Sequence, residues 1–426
     1  MKKAFQSPLF PIFARKIHRI MKQPTFFHLS SLISNLSSFL FSLLSPRIPL
    51  WGIIGGLSFL CIPAFSQTTP ESVLATAQLV NGYFMKTVPD PTAPTFVKKE
   101  RPSHLWTRAV YYEGLMALYS IDPKDEYLDY TDRWGEFHKW TPRGGVSTTD
   151  ADNQCCGQTY LDRYMMTKEP LMIEQVRENL EHQMSTKIGW WTWVDAIQMA
   201  LPVYSKMYRI TGDRRYADHA MKMYTWTRDT LAGGLFNEKE GLWWRDKDYV
   251  PPYREADGSN CYWSRGVGWA YVAIVKAMED FSSRPMNKQM KRHYKLLQRD
   301  FRMMSEALLR CQRADGLWNV SLICPSNYGG KELTGSALFL CGLSWGIRQG
   351  LLPAKRYRSA CDRAWTAMVN DCVHPDGFLG FVQGTGKEPA SAQPVTHDRH
   401  PDFEDFGTGC FLLGAAEYYK LLRQIT

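Results

Sequence analysis

Apolar residues recur at helical spacing along most of the chain, and no run alternates apolar and polar residues as a half-buried strand does. Two apolar stripes show this spacing clearly: Met172, Val176, Leu180 and Met184; Tyr357, Cys361, Trp365 and Met368. The first predicted helix follows the cap Thr69-Pro70. The others are predicted near 105–119, 125–140, 155–166, 170–185, 194–210, 213–230, 266–282, 287–311, 335–350, 355–371 and 407–423. The pattern therefore predicts an all-α protein of about twelve helices.

The connections between these helices alternate in length. Long connections are predicted at 87–104, 141–154, 231–265, 312–334 and 372–406, with an intermediate one at 186–193. Short connections are predicted at 120–124, 167–169, 211–212, 283–286 and 351–354. In an array of antiparallel helices every second connection lies at the same end, so all the long loops are expected on one face. A binding or catalytic site is expected on that face.

Three of the long loops share a short signature: Glu240-Gly241-Leu242-Trp243, Asp315-Gly316-Leu317-Trp318 and Asp376-Gly377-Phe378. Such recurrence is typical of repeated helical hairpins, either stacked or closed into a ring. Six hairpins favour a closed toroid of inner and outer helices. No linker rich in Pro or Ser divides residues 67–426, which predicts one domain.

The first 66 residues differ in composition from the rest. They contain seven Lys or Arg and no acid, and removing these seven from the 51 Lys and Arg leaves 44 against 42 Asp and Glu. The basic charge therefore belongs to this leader and does not indicate nucleic-acid binding. Arg47, the apolar run 48–62 and Ala64-Phe65-Ser66 predict a secretory signal peptide cleaved before Gln67. A membrane anchor is the alternative, although about 15 apolar residues are short for a span. The protein is expected to be exported, to the periplasm or outside the cell.

Candidate chemistry centres on Asp195, which follows Trp190, Trp191 and Trp193 at the start of an apolar helix. An acid at this position can cap the helix, or it can be a working group in an apolar setting. Burial raises a carboxyl pKa and a helix N-terminus lowers it. We expect burial to dominate, so that Asp195 can act as a proton donor.

Other polar groups lie on the same predicted face. A second acid is available at Asp152, or at Asp150, and at least one of these two is expected only to cap the next helix. The candidate cations and aromatic residues are Arg245, Arg265, Trp269 and Lys331. Acids, indoles and cations together suit carbohydrate chemistry, in which an aromatic ring stacks on a sugar and a cation holds an anion. For Arg245 and Arg265 a structural pairing with nearby acids is equally consistent with the sequence.

Metal and nucleotide chemistry find little support. His397-Asp398-Arg399-His400 lacks the i, i+4 spacing of a helical zinc pair. Gly266-Val267-Gly268 is not followed by the third glycine of a dinucleotide turn, and no phosphate loop or serine elbow is present. We predict no metal site.

Six stretches in the right order, covering most of residues 70–424, resemble the unsaturated glucuronyl and rhamnogalacturonyl hydrolases of glycoside hydrolase families 88 and 105, with 105 as the nearer match. These stretches are DADNQCCGQTY at 150–160, WTWVDAIQMALP at 191–202, WSRGVGW at 263–269, DGLWNVSL at 315–322, GGKELTGSALF at 329–339 and GTGCFLLGAAEYYKL at 407–421. The resemblance implies an (α/α)6 toroid and no cofactor. It also implies an oligosaccharide substrate that carries a 4,5-unsaturated uronic acid at its non-reducing end, the product of a polysaccharide lyase. The implied reaction hydrates that double bond.

By motif position the resemblance makes Asp195 the proton donor and water activator, and Asp152 the second acid. Trp191, Trp193, Arg245, Arg265, Trp269 and Lys331 are the expected substrate-binding residues. Two departures are visible: Val267 stands where the family usually has Asn, and Arg245 stands where a His is common, which suggests a more anionic or differently shaped neighbouring sugar. A conventional two-carboxylate glycosidase and a catalytically inactive sugar-binding protein are the alternatives.

Overall fold

A computed structural model describes residues 68–97, 99–398 and 405–425. The predicted leader, its cleavage site and its boundary with the catalytic domain lie outside the described residues or at their edge, so these remain predictions. The helices, numbered here in chain order, are α1 Pro70–Thr87, α2 Trp106–Tyr119, α3 Asp125–Phe137, α4 Ala151–Gln154, α5 Gly157–Thr167, α6 Leu171–Met184, α7 Asp195–Thr211, α8 Arg214–Thr225, α9 Ser264–Ser282, α10 Lys288–Cys311, α11 Leu333–Arg348, α12 Ala354–Asp371 and α13 Asp405–Ile425.

Six helices form a closed inner ring. In order around the ring these are α2, α5, α7, α9, α11 and α13, and each packs against the next, with α13 closing the ring on α2. The alternate helices α1, α3, α6, α8, α10 and α12 lie outside them. This arrangement is the predicted (α/α)6 toroid, and the all-α prediction is confirmed.

The inner and outer helices differ in how much of their surface is buried. The inner helices α9 and α11 are buried around most of their circumference, as is expected of helices with neighbours on every side. The outer helices bury a single stripe. Of the two stripes identified in the sequence, that of α12 is buried at all four positions, and that of α6 at Met172, Val176 and Leu180.

The long connections all precede inner helices, so they gather at the end of the ring where the inner helices begin. This confirms the predicted alternation. Three of these loops contain a small antiparallel hairpin: β1 Thr95–Val97 with β2 Lys99–Arg101, β3 Phe236–Asn237 with β4 Leu242–Trp243, and β5 Trp318–Asn319 with β6 Lys331–Glu332. A buried ion pair of Arg108 with Asp405, 2.7 Å between Nε and Oδ2, joins the ends of α2 and α13 beneath these loops.

The helix predicted over 125–140 is shorter than expected. It ends at Phe137, because Lys139 and Trp140 adopt left-handed φ angles of 53° and 52°. The reversal packs the Trp140 indole against Gly135, where an added Cβ would lie 2.3 Å from the ring. Within the described residues, no helix has the length and apolar character needed to cross a membrane.

Candidate active site

A cavity of about 190 Å³ opens at the long-loop end of the ring. Its walls come from the first turns of the inner helices α2 and α7, from α4, and from the loops between them. The lining residues are Arg101, Leu105, Trp106, Thr107, Asp152, Trp193, Asp195, Met199, Arg245, Thr385 and Gly386. Four of the predicted site residues, Asp195, Asp152, Trp193 and Arg245, therefore meet in one cavity.

Asp195 is the first residue of α7 and is 8% exposed. Its Oδ2 accepts no hydrogen bond from the described residues and lies 3.4 Å from Arg245 Nε. Burial raises the pKa of this carboxyl above its usual value, although Arg245 and Arg265 act in the opposite direction. The expectation that burial dominates is confirmed. A buried carboxyl oxygen without a hydrogen bond is costly, which makes Asp195 a candidate functional residue.

Asp152 and Asp150 occupy different environments. The carboxylate of Asp150 accepts the backbone N–H of Asp152 at 3.0 Å and so caps α4. Asp152 lies in the cavity, where burial, together with the charges of Asp150 and Asp195, raises its pKa to about 7. The structure thus makes Asp150 a cap and Asp152 a carboxyl group that shares the cavity with Asp195.

Arg245 is held beside Asp195 by the backbone as well as by its side chain. The N–H of Val194 donates to the carbonyl of Arg245 at 2.8 Å, and Trp193 forms an antiparallel bridge with Asp246. The guanidinium lies 2.5 Å from Asp246 Oδ2 through Nη1. The residues before α7 and the loop before α9 are therefore joined at the cavity wall.

Of the three tryptophans that precede Asp195, Trp191 and Trp193 are expected to bind substrate, and for Trp191 this expectation is wrong. Only Trp193 of the three lines the cavity. Trp191 is fully buried against Tyr204, and its carbonyl accepts the hydroxyl of Thr227, so it cannot contact a substrate in this structure. Trp190 lies at the surface under Lys187. A different indole, Trp106, supplies the second aromatic wall.

Three further predicted binding residues lie away from the cavity. Arg265 is fully buried, stacks on Trp263 and donates to the carbonyls of Gln383 and Gly384. It therefore supports the loop that brings Thr385 and Gly386 to the cavity. Trp269 is fully buried, with its ring edge-on to Trp106 at 6.3 Å, so it supports that wall from behind.

Lys331, the third, lies on β6, pairs with Asp371 at 2.9 Å and does not line the cavity. Val267, which replaces the usual Asn, is fully buried in α9.

Several lining residues were not identified from the sequence. Trp106 and Thr107 open α2 just as Asp195 opens α7, and this equivalence between inner helices is the signal that could have found them. Arg101 lies at the end of β2, in a loop without periodicity. Thr385 and Gly386 belong to the predicted long loop 372–406, but nothing in the loop sequence singles them out.

Two other groups of polar residues lie outside this cavity. A cavity of about 380 Å³ lies at the opposite end of the ring, and its charges are compensated in ion pairs: Lys276 with Glu113, Lys206 with Asp162, Arg209 with Asp280, Arg348 with Glu279 and Lys420 with Glu417. His374, His397 and Asp398 offer ligand atoms within 4.8 Å of one another. The two imidazole rings stack at 3.9 Å, so their in-plane lone pairs run side by side rather than converge. We assign no ion to this cluster.

The ring of twelve helices and a cavity with two high-pKa carboxyl groups and two indoles define a glycoside hydrolase of the (α/α)6 class. Residues 76–422 match the model of glycosyl hydrolase family 88, and the chain belongs to this family.

Three relatives illustrate the match. The unsaturated 3S-rhamnoglycuronyl hydrolase of Formosa agariphila is 28% identical over 337 residues, which cover 74% of this chain and 84% of that protein. A solved family 88 glycosyl hydrolase from Bacteroides vulgatus is 30% identical with a TM-score of 0.74, over 83% of this chain and all of that one. A solved structure described as a polysaccharide lyase is 28% identical, also with a TM-score of 0.74, over 84% of this chain and 99% of that one. Family 105 structures are among the other similar folds.

Proposed function

We propose that the protein removes a 4,5-unsaturated uronic acid from the non-reducing end of lyase-generated oligosaccharides by hydrating its double bond. The observation that carries the proposal is the pairing of two carboxyl groups with raised pKa in one small cavity. One of them has an oxygen that accepts no hydrogen bond from the part of the chain that the structure describes. A group that protonates a carbon atom must hold its proton, and burial raises the pKa of both carboxyl groups in this direction, that of Asp152 to about 7. Membership of family 88 supports the same reaction.

In the proposed reaction, Asp195 gives its proton to carbon four of the double bond. Water adds at carbon five and loses a proton to the carboxylate so formed, while Asp152 orients this water. The resulting hemiketal opens to a ketone at carbon five, which turns carbon one into a hemiacetal of the neighbouring sugar. Its collapse to an aldehyde releases that sugar, and the net change is addition of one water. Trp106 and Trp193 line the same cavity, which supports stacking of an indole on the uronic ring.

We further propose rhamnose as the neighbouring sugar, since the name of the Formosa agariphila relative contains it. The guanidinium groups of Arg101 and Arg245 line the cavity and suit an anionic substrate.

We also propose that the protein is exported, to the periplasm or the medium, on the basis of the signal-peptide pattern before Gln67.

A panel of lyase-generated oligosaccharides tests the reaction, with the uronic acid followed by rhamnose, galactose or a sulfated sugar. The absorbance of the conjugated double bond should fall, and the rhamnose-linked substrate should react fastest. A rise in absorbance on intact polysaccharide would indicate a lyase instead. Hydrolysis of saturated glycosides would support direct displacement by two carboxylates, and binding without turnover would indicate an inactive relative.

Activity should depend on pH through the two carboxyl groups. The donor must be protonated, so kcat/KM should be highest at mildly acidic to neutral pH. It should fall about tenfold per unit once the pH exceeds the pKa of the pair, of which Asp152 titrates near 7. The measurement is the pH profile of kcat/KM on the best substrate of the panel. A rate that still climbs above neutrality would assign the proton to another group.

A further inference from the structure

Asp195 stands beside a cation, which is an unfavourable position for a proton donor. Arg245 Nε is 3.4 Å from Asp195 Oδ2, and a guanidinium this close to a carboxyl stabilises the ionised, proton-free form. If no other acid paired with Arg245, its guanidinium would turn toward the buried carboxylate of Asp195 and form a short ion pair with it.

The carboxylate of Asp246 forms an ion pair with the Arg245 guanidinium. Its Oδ2 lies 2.5 Å from Arg245 Nη1, and its Oδ1 accepts the backbone N–H of Asp248 at 2.8 Å, so both oxygens are fixed. Asp246 is 7% exposed, and its backbone pairs with Trp193, two residues before Asp195. The position of this carboxylate is thus set by the same backbone pairing that places Arg245 and the start of α7.

We propose that Asp246 is a positioning residue for the proposed hydration: it pairs with the Arg245 guanidinium and keeps it 3.4 Å from Asp195 instead of in a short ion pair, so that Asp195 keeps the proton it donates. This inference rests on the proposed function. The Arg245 guanidinium can then also interact with the substrate carboxylate. In the absence of substrate, Asp246 neutralises the charge of Arg245.

The other charged groups around Asp195 do not replace Asp246. Asp152 faces Asp195 from α4, Arg265 acts on it from α9, and Arg101 of β2 lines the same cavity. Neither arginine bonds to Arg245, and Asp152 makes no ion pair with it among the described residues. Asp246 also adds its own negative charge, which opposes ionisation of Asp195.

The Asp246→Asn variant tests this role. The amide oxygen can still accept the N–H of Asp248, but the NH2 group cannot accept from Arg245, so the guanidinium should turn to Asp195. The alkaline limb of the kcat/KM profile should move down by about one pH unit, which is about a tenfold loss above neutrality and little loss at acidic pH. Asp248→Asn is the matched control: this exposed acid pairs with Lys247, and its loss should leave the limb in place.

Arg245→Gln provides the opposite test and does not depend on the folding of the first variant. Without the guanidinium the limb should move up, and Asp246→Asn added to Arg245→Gln should then move it down only slightly, through the loss of the Asp246 charge alone. A limb that stays in place in either single variant would overturn the inference and leave Asp246 a structural residue. A loss of rate in Asp246→Asn that is equal at all pH values would do the same.

An infrared titration separates this inference from the proposed function, because it requires no substrate. The carboxyl stretching band that Asp195→Asn removes should titrate at lower pH in Asp246→Asn than in the wild type. If wild-type protein turns over none of the oligosaccharides, the proposed function fails, while this band still reports on Asp246. An unmoved band in an active enzyme would overturn the role of Asp246 alone.

Discussion

Replacing Asp195 with Asn should reduce kcat/KM on unsaturated oligosaccharides by about a thousandfold or more. A positioned acid typically contributes about 10²–10⁴ to a rate, and in the proposed reaction Asp195 both supplies the proton and receives one back from water. The variant should fold normally. Oδ2 accepts no hydrogen bond from the described residues, and burial favours the neutral carboxyl, so a neutral amide of the same shape should leave Tm close to that of the wild type.

The measurements are steady-state kinetics by loss of ultraviolet absorbance and thermal unfolding of the same preparations. Asp248→Asn makes the same chemical change at an exposed acid and should keep wild-type activity. Activity close to wild type in the Asp195 variant would remove Asp195 from the mechanism. Inactivity accompanied by a large fall in Tm would show that its role is structural.

Asp152→Asn should cost about a hundredfold in kcat/KM, less than the loss at Asp195. Asp152 shares the cavity and titrates near pH 7, so it can orient water and adjust the charge around the donor without supplying the transferred proton. In this variant, the fall of kcat/KM near pH 7 should no longer include the titration of Asp152.

Asp150→Asn is the matched control for Asp152. Asn caps helices as well as Asp does, so this variant should keep activity within about threefold. A fully active variant with Asn at both 150 and 152 would show that neither acid takes part in the reaction and would leave Asp195 to act alone.

The fold could be predicted from the sequence because its evidence is local and repeated. Helical spacing located the helices to within a few residues, and the alternation of long and short loops placed the site end of the ring. The position of Asp195 followed from the same reasoning, since an acid that opens an inner helix must lie where the long loops meet. Its raised pKa followed from the burial expected at that position.

The roles of Trp191 and Arg265 could not be read from spacing. Trp191 is turned into the core by Tyr204 and Thr227, and Arg265 is held by carbonyls 118 and 119 residues further along the chain. Which side of a loop residue faces a cavity depends on such distant partners. For the same reason Trp106 was not predicted to line the cavity, although it is the first residue of an inner helix as Asp195 is.

The central claim is that the protein protonates a carbon–carbon double bond instead of displacing at the anomeric carbon. The most direct test follows a single purified unsaturated disaccharide and records double-bond absorbance and released neighbouring sugar in the same samples. Hydration predicts that absorbance falls before the sugar appears or together with it, in equal amounts. Release of the sugar while the absorbance stays intact would contradict the claim.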